Sequence, residues 1–177
     1  MKIIIGLLSI TLIAALTYIF LPQTELARGR PRDLTQVDSR PPAQATAQCI
    51  TSAATVYQVP PDVMFGILSV EGGHSGQAVG PNVNGTYDLG LMQINSLWVP
   101  QLARIWHVDY QTAYDGLRDS SCANIYAGAW ILKQKIIETG TLYSGIASYH
   151  STTHAPGIFY ANKVIMTTQR SAQSLPR

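Results

Sequence analysis

From Ile50 to Arg170, apolar residues recur at intervals of three and four, and proline or glycine closes most of the runs. That pattern limits the region to a set of short helices. Ile50, Ala53, Ala54 and Tyr57 share one face of a first helix, which Val59-Pro60-Pro61 ends. Pro61 suits the first turn of a second helix, Asp62 to Glu71. There Val63, Met64, Ile67, Leu68 and Val70 cover most of the surface, which predicts a central, buried helix stopped by Gly72-Gly73. His74 to Asp88 is rich in glycine and asparagine, has no period and contains the tight-turn pair Asn84-Gly85, so it reads as a β-ribbon or an irregular loop. A long loop between buried helices is a usual place for a binding site. Short helices follow over Pro100–Trp106 and Asp109–Leu117. Ser120 or Ser121 caps a long helix through Glu138, closed by Gly140, with Ile125, Ala129, Leu132 and Ile136 as its apolar stripe. Leu142 to Tyr149 is another helix, and Pro156 starts the last, to about Arg170. No repeat and no strand–helix alternation is present. The expected fold class is mainly α, with a small loop or β-ribbon region beside a cleft.

The chain has 177 residues, enough for one domain with tails. Behind Lys2 lies an uncharged stretch, Ile3 to Leu21, whose 19 residues would span about 28 Å as a helix. Its length, and the lack of a small-x-small cleavage site after Phe20, favour a retained membrane anchor over a cleaved signal peptide within residues 1–21. Residues 22–47, rich in Pro, Arg, Gln and Thr, read as a flexible linker. The domain is expected over 48–170 and a disordered tail over 171–177. Arg28, Arg30, Arg32 and Arg40 after the span would be held in the cytoplasm by the positive-inside rule.

The cysteines argue the other way. Cys49 and Cys122 behind an export-type segment suggest one disulfide, against the plainer reading of two small buried hydrophobes. It would close a loop of 73 positions and be worth about 4 kcal/mol in loop entropy. No further ligands stand at zinc-like spacing. The cysteine argument is given more weight, so the domain is expected in the periplasm, exported and anchored at the inner membrane. Formal net charge is +2, but between Cys49 and Arg170 six Lys/Arg face seven Asp/Glu. No phosphate-neutralising face is present, which sets nucleic acid aside as a partner.

Glu71 is the most informative residue. It follows Met64, Ile67 and Leu68 by seven, four and three positions and so shares their oily helical face. Desolvation there favours the neutral carboxyl, and so does the helix carboxyl end. A carboxylic acid still protonated near neutral pH can give its proton to a leaving oxygen. The plainer alternative is a glutamate at a helix end pointing into water. Seventeen residues on stands Asp88. Two carboxylates flanking a polar loop suit glycosidic cleavage, one protonating the departing oxygen and the other stabilising the cationic sugar. By spacing alone Asp88 is equally a turn cap.

Glu71, the string Gly90-Leu91-Met92-Gln93-Ile94-Asn95, and Ala147-Ser148-Tyr149, in this order, resemble the lysozyme-like domain of bacterial lytic transglycosylases of the Slt type. The resemblance covers about Gln48 to Arg170 and lies nearest small periplasmic members that accompany conjugation and type IV secretion. It implies a peptidoglycan lytic transglycosylase that opens murein for an envelope-spanning apparatus. In that family a single glutamate protonates the oxygen between N-acetylmuramic acid and N-acetylglucosamine. It then helps the muramic 6-hydroxyl attack C1, leaving an anhydro sugar. Glu71 takes that role by resemblance. Gln93 and Tyr149 line the saccharide cleft, with Asn95 and His150 as further substrate contacts. No metal or organic cofactor is implied. The implied partners are glycan strands, secretion or conjugation proteins, and the inner membrane.

Three departures stand out. Gly72 follows the glutamate where the family often has Ser, and His150 replaces the Asn of an Ala-Tyr-Asn string. Asp88 lies where animal-type lysozymes carry an aspartate, so a hydrolysing muramidase with Asp88 as second carboxylate is the alternative. (Lysozyme is itself a worked case of that two-carboxylate logic.) A non-catalytic glycan-binding assembly factor is the rival of another class.

The remaining candidates are weaker. His150 and His154 stand four apart, but Pro156 suggests a loop, and no zinc-peptidase pattern accompanies them. Trp106 and Trp130 read as core, while Trp98 is either core or a sugar-stacking ring. Ser144 and Ser148 lack a nucleophile-elbow context.

Overall fold

The computed structural model describes residues 42–150 and 154–173. Helix α1 (Pro42–Tyr57) buries Cys49, Ile50, Ala53, Ala54 and Tyr57 on one face, the stripe expected of it. It begins inside the stretch read as linker. Ala43, Gln44, Ala45, Ala47 and Gln48 are good helix formers, and proline is tolerated in a first turn, so the helix starts at Pro42 rather than near residue 48. Helix α2 (Pro61–Glu71) starts with proline at its first position. It ends on Gly72 in the left-handed conformation (φ 64°), whose N–H donates to the Leu68 carbonyl at 3.1 Å.

The glycine- and asparagine-rich region forms a small antiparallel sheet in the order β1 (Ala78–Val79), β2 (Asp88–Leu89), β3 (Ile94–Asn95). Ala78 pairs with Leu89, and Asp88 pairs with Asn95. The expected ribbon is therefore present, and Gly85 takes the turn at φ 78°. A 3-10 turn (Ser96–Trp98) leads into α3 (Val99–Trp106). Helix α4 (Tyr110–Asp119) follows, capped by Asp109, whose side chain accepts from Thr112 N–H at 2.9 Å.

Helix α5 (Ser121–Thr139), capped by Ser120 and closed by Gly140, is the central element. From Ala123 to Leu132 it is buried apart from Tyr126, and it packs against α1, α4 and the next helix, α6 (Leu142–His150). Sequence reading assigns the central place to α2; the structure gives it to α5. Ala123, Ala127, Gly128 and Ala129 let neighbours approach on every side, whereas α2 leaves Phe65 (40% exposed) and Ser69 to solvent. The last helix, α7 (His154–Gln173), lies on α2 and α6 and runs three residues into the expected tail. His150 and His154 end α6 and begin α7, a correction to the loop inferred from Pro156, which sits in α7's first turn.

A disulfide joins Cys49 of α1 to Cys122 at the start of α5, with Cα atoms 5.3 Å apart. The expected anchor or signal segment lies outside the described residues. Among the described residues no helix is long and apolar enough to cross a membrane.

Candidate active site

A cleft of about 330 Å³ opens between the end of α2, the small sheet and the facing sides of α5 and α6. Glu71, Asp88, Gln93, Asn95, Tyr149 and His150 all line it, so every sequence-derived site residue is in one place. Trp98, Ile94 and Ile131 complete the wall. The volume is at the lower end for small-ligand pockets and suits a sugar ring.

Glu71 is the last residue of α2 and is half-buried. The Tyr160 hydroxyl of α7 donates to its Oε1 at 2.5 Å. Burial raises the Glu71 pKa, and the charge of Asp88 adds to the rise. The Tyr160 hydrogen bond and the Lys163 cation pull the other way without reversing it. The acid is thus shifted as its place on the apolar face of α2 leads one to expect.

Asp88 sits on β2 in a network of amides. Asn95 Nδ2 donates to Oδ1 at 2.8 Å and Asn82 Nδ2 to Oδ2 at 3.1 Å. The buried Thr86 hydroxyl ties the network together. It accepts from both amides, at 3.0 Å from Asn95 and 3.1 Å from Asn82, and donates to Asn84 Oδ1 at 2.7 Å. With both oxygens accepting, Asp88 is held as an acceptor-only carboxylate facing the cleft.

The turn between β2 and β3 carries Gln93 in the left-handed region (φ 47°), with its Nε2 donating to the Gly90 carbonyl at 2.7 Å. This turn lies against the end of α2: a β-carbon at Gly73 would stand 2.5 Å from Gln93 Nε2. Gly90 (φ 64°) leaves no space either, since a β-carbon there would meet Asn124 Nδ2 at 2.6 Å. Asn124 is fully buried on α5 and fastens the string from below. Its Nδ2 donates to the carbonyls of Leu89 (2.7 Å) and Leu117 (2.8 Å), and its Oδ1 accepts from Met92 N–H (2.7 Å).

On the opposite wall, Tyr149 donates its hydroxyl to the Met92 carbonyl at 3.3 Å. Burial, then the Glu71 charge, raises its pKa well above the phenol range, and the same two causes act in the same order on Tyr160. Both therefore remain donors at any working pH. The Tyr160 ring lies parallel to His150 (4.6 Å, 5°) and to Tyr149 (6.4 Å, 15°). Trp98 meets the cleft while resting edge-on against buried Trp130 (5.6 Å, 89°). Trp106 and Trp130 are core, as their helical positions suggest. Among the described residues no cluster of three or more His, Cys, Asp or Glu side chains is placed to hold a metal ion.

Sequence reading misses Tyr160 and Asn124. The signal for each was a polar group at a position that helical spacing turns inward, among Ala161 and Val164 for one and Ala123 and Ile125 for the other. A buried polar group demands partners, so each marked a connection whose far end the sequence does not name.

The family model described as the transglycosylase SLT domain matches residues 48–157. The chain belongs to the transglycosylase SLT domain family. Among curated relatives, the invasion protein IagB of Salmonella typhimurium is 28% identical over 109 residues, 62% of this chain and 65% of that protein. An X polypeptide of Escherichia coli is 31% identical over 108 residues, 61% of this chain and 60% of that one. Protein IpgF of Shigella flexneri is 25% identical over 112 residues, 63% and 70% respectively. The match thus spans a little under two thirds of the first two relatives. The SLT domain family and the mainly helical, small-sheet architecture agree with the lysozyme-like resemblance read from the sequence.

Proposed function

We propose that this protein cleaves the β-1,4 bond between N-acetylmuramic acid and N-acetylglucosamine in peptidoglycan, as a lytic transglycosylase. Glu71 gives its proton to the glycosidic oxygen as the C1–O bond breaks. The resulting carboxylate accepts the proton of the muramic 6-hydroxyl as that oxygen closes on C1, leaving a 1,6-anhydro end and a regenerated acid. The observation that carries this reading is Glu71 itself: a half-buried carboxyl whose pKa desolvation raises, on the wall of a sugar-sized cleft. Gln93, Asn95 and Tyr149 are assigned to substrate contact from their places on that wall, which His150 shares at its mouth.

A second reading is favoured by Asp88, whose two oxygens are both held by amides beside the same cleft. A carboxylate fixed in this way can steady a cationic sugar long enough for water to reach C1, which is muramidase chemistry. Digestion of murein sacculi with the wild type and with Glu71→Gln, followed by mass spectrometry, separates the readings. Anhydro ends that disappear with Glu71→Gln support transglycosylation, and reducing ends support hydrolysis. Release that is indifferent to Glu71→Gln, or glycan binding without release, would leave the non-catalytic assembly factor.

The cellular setting is part of the proposal. The relatives carry the names invasion protein and, for one from Escherichia coli O157:H7, peptidoglycan-binding-like protein. With the Cys49–Cys122 disulfide, these names support an exported domain working on the wall beside a secretion or conjugation apparatus. The apolar stretch Ile3–Leu21 is proposed to hold it at the inner membrane, with the intervening residues as linker.

A further inference from the structure

His150 occupies a position where the resemblance supplies asparagine, and it does something asparagine cannot. Its imidazole lies flat on the Tyr160 ring, 4.6 Å between centroids and 5° from parallel. Tyr160 in turn gives its hydroxyl to Glu71 Oε1. The three side chains come from the ends of α6 and α2 and from within α7. A continuous line of contact therefore runs from an exposed ring at the mouth of the cleft to the carboxyl inside it.

From this stack we infer that His150 is a positioning residue, holding the Tyr160 hydroxyl on Glu71 by ring-to-ring contact. The inference rests on the proposal that Glu71 is the acid, and goes beyond it by giving this exposed histidine a task other than touching sugar. The phenol oxygen lies on the axis about which the ring turns, so its place depends on how far the whole ring can swing, and a neighbour stacked on the ring's face limits that swing. Tyr149, the other near-parallel neighbour, lies farther off at 6.4 Å, so the closer His150 ring is the stronger constraint. The charged and titratable groups around the stack are Glu71 on α2, Asp88 on β2, Tyr149 on α6 and Lys163 on α7. Because the Tyr160 hydrogen bond lowers the Glu71 pKa, loosening Tyr160 lets that pKa rise.

The test compares His150→Asn, which removes the ring, with His150→Phe, which keeps a ring but no titratable nitrogen. The Glu71 titration is followed by carboxyl carbon-13 NMR in each, and again in the Tyr160→Phe background. With His150→Asn, the Glu71 titration moves to higher pH and kcat on murein falls about 3- to 10-fold with KM little changed. His150→Phe restores both, and in the Tyr160→Phe background His150→Asn adds nothing further. An unmoved Glu71 titration with His150→Asn, or full additivity with Tyr160→Phe, overturns the inference. So does failure of His150→Phe to restore, which would place the effect in charge rather than stacking, and so does a rise in KM alone, which would make His150 a sugar contact. The NMR readout needs no turnover, so failure of the enzyme proposal is seen separately, as absence of murein products from the wild type.

Discussion

Tyr160 and Glu71 stand 89 positions apart in the chain, and their oxygens stand 2.5 Å apart in the fold. The contact exists because α7 packs along α2, with Tyr160, Ala161 and Val164 turned into the core. It sets two opposing influences on one carboxyl. Burial and Asp88 favour the proton on Glu71, while the phenol and Lys163 favour its loss. A general acid needs both a retained proton and a fixed direction in which to deliver it. In the role proposed for Glu71, burial would supply the first and the phenol the second, at some cost to the first.

Tyr160→Phe should separate these contributions. Without the hydroxyl, the influence that lowers the Glu71 pKa is removed, so the pKa rises further. The basic limb of the kcat–pH profile should then move to higher pH. The maximal rate should fall by about tenfold, because the acid is no longer aimed. A full pH profile of murein release from both proteins checks this.

Glu71 should also oppose folding at neutral pH. Its pKa is raised in the folded state above the ordinary glutamate value of 4.5, so between those two values the folded chain binds more protons than the unfolded one. For a raised carboxyl, stability is therefore highest below 4.5 and declines as pH rises through the folded value. Glu71→Gln removes the ionisable group. It should raise Tm by about 2 °C at pH 7, and the gain should vanish near pH 4. Calorimetry at the two pH values measures it, and the expected outcome is a variant that is inactive and more stable.

Much of this site is legible from local sequence. Glu71 is marked by its spacing from Met64, Ile67 and Leu68, and the turn around Gln93 by its glycine and asparagine neighbours. Capping and helix ends follow from single residues such as Ser120, Gly72 and Gly140. What local spacing does not contain is which inward-facing group meets which. Tyr160 and Asn124 each satisfy a distant partner through tertiary packing, and no period or motif specifies that partner. The exchange of α2 for α5 at the centre has the same origin. Density of large apolar residues marks α2, but freedom to be approached from all sides depends on small ones, which α5 has.

The disulfide should carry a large part of the domain's stability. Cys49 and Cys122 close a loop of 73 positions between α1 and the central helix, and the loop-entropy argument gives about 4 kcal/mol. The paired substitution Cys49→Ala/Cys122→Ala should lower Tm by about 10 °C, and reduction of the wild type should do the same. Thermal denaturation with and without reductant measures both. At temperatures where the reduced form is still folded, murein release should persist, since neither cysteine lines the cleft.

Asn124 is the buried point on which the Gly90–Asn95 string depends. Its side chain uses both donors and an acceptor lone pair on three backbone groups, of Leu89, Leu117 and Met92. Asn124→Leu keeps the branch at the γ-carbon but leaves those three groups unpaired in a region closed to water, at about 3 kcal/mol or more. The turn that holds Gln93 should loosen with it, so activity should fall by more than the loss of folded protein explains. Asn124→Asp provides the internal control. Its carboxyl would face two carbonyl oxygens and keep one of them paired only while protonated. Its pKa should therefore be raised, its stability deficit smaller at pH 4 than at pH 7, and the difference absent from Asn124→Leu. Urea unfolding of the three proteins at both pH values decides it. Equal deficits of the aspartate variant at the two pH values would show that Asn124 does not hold the string as described.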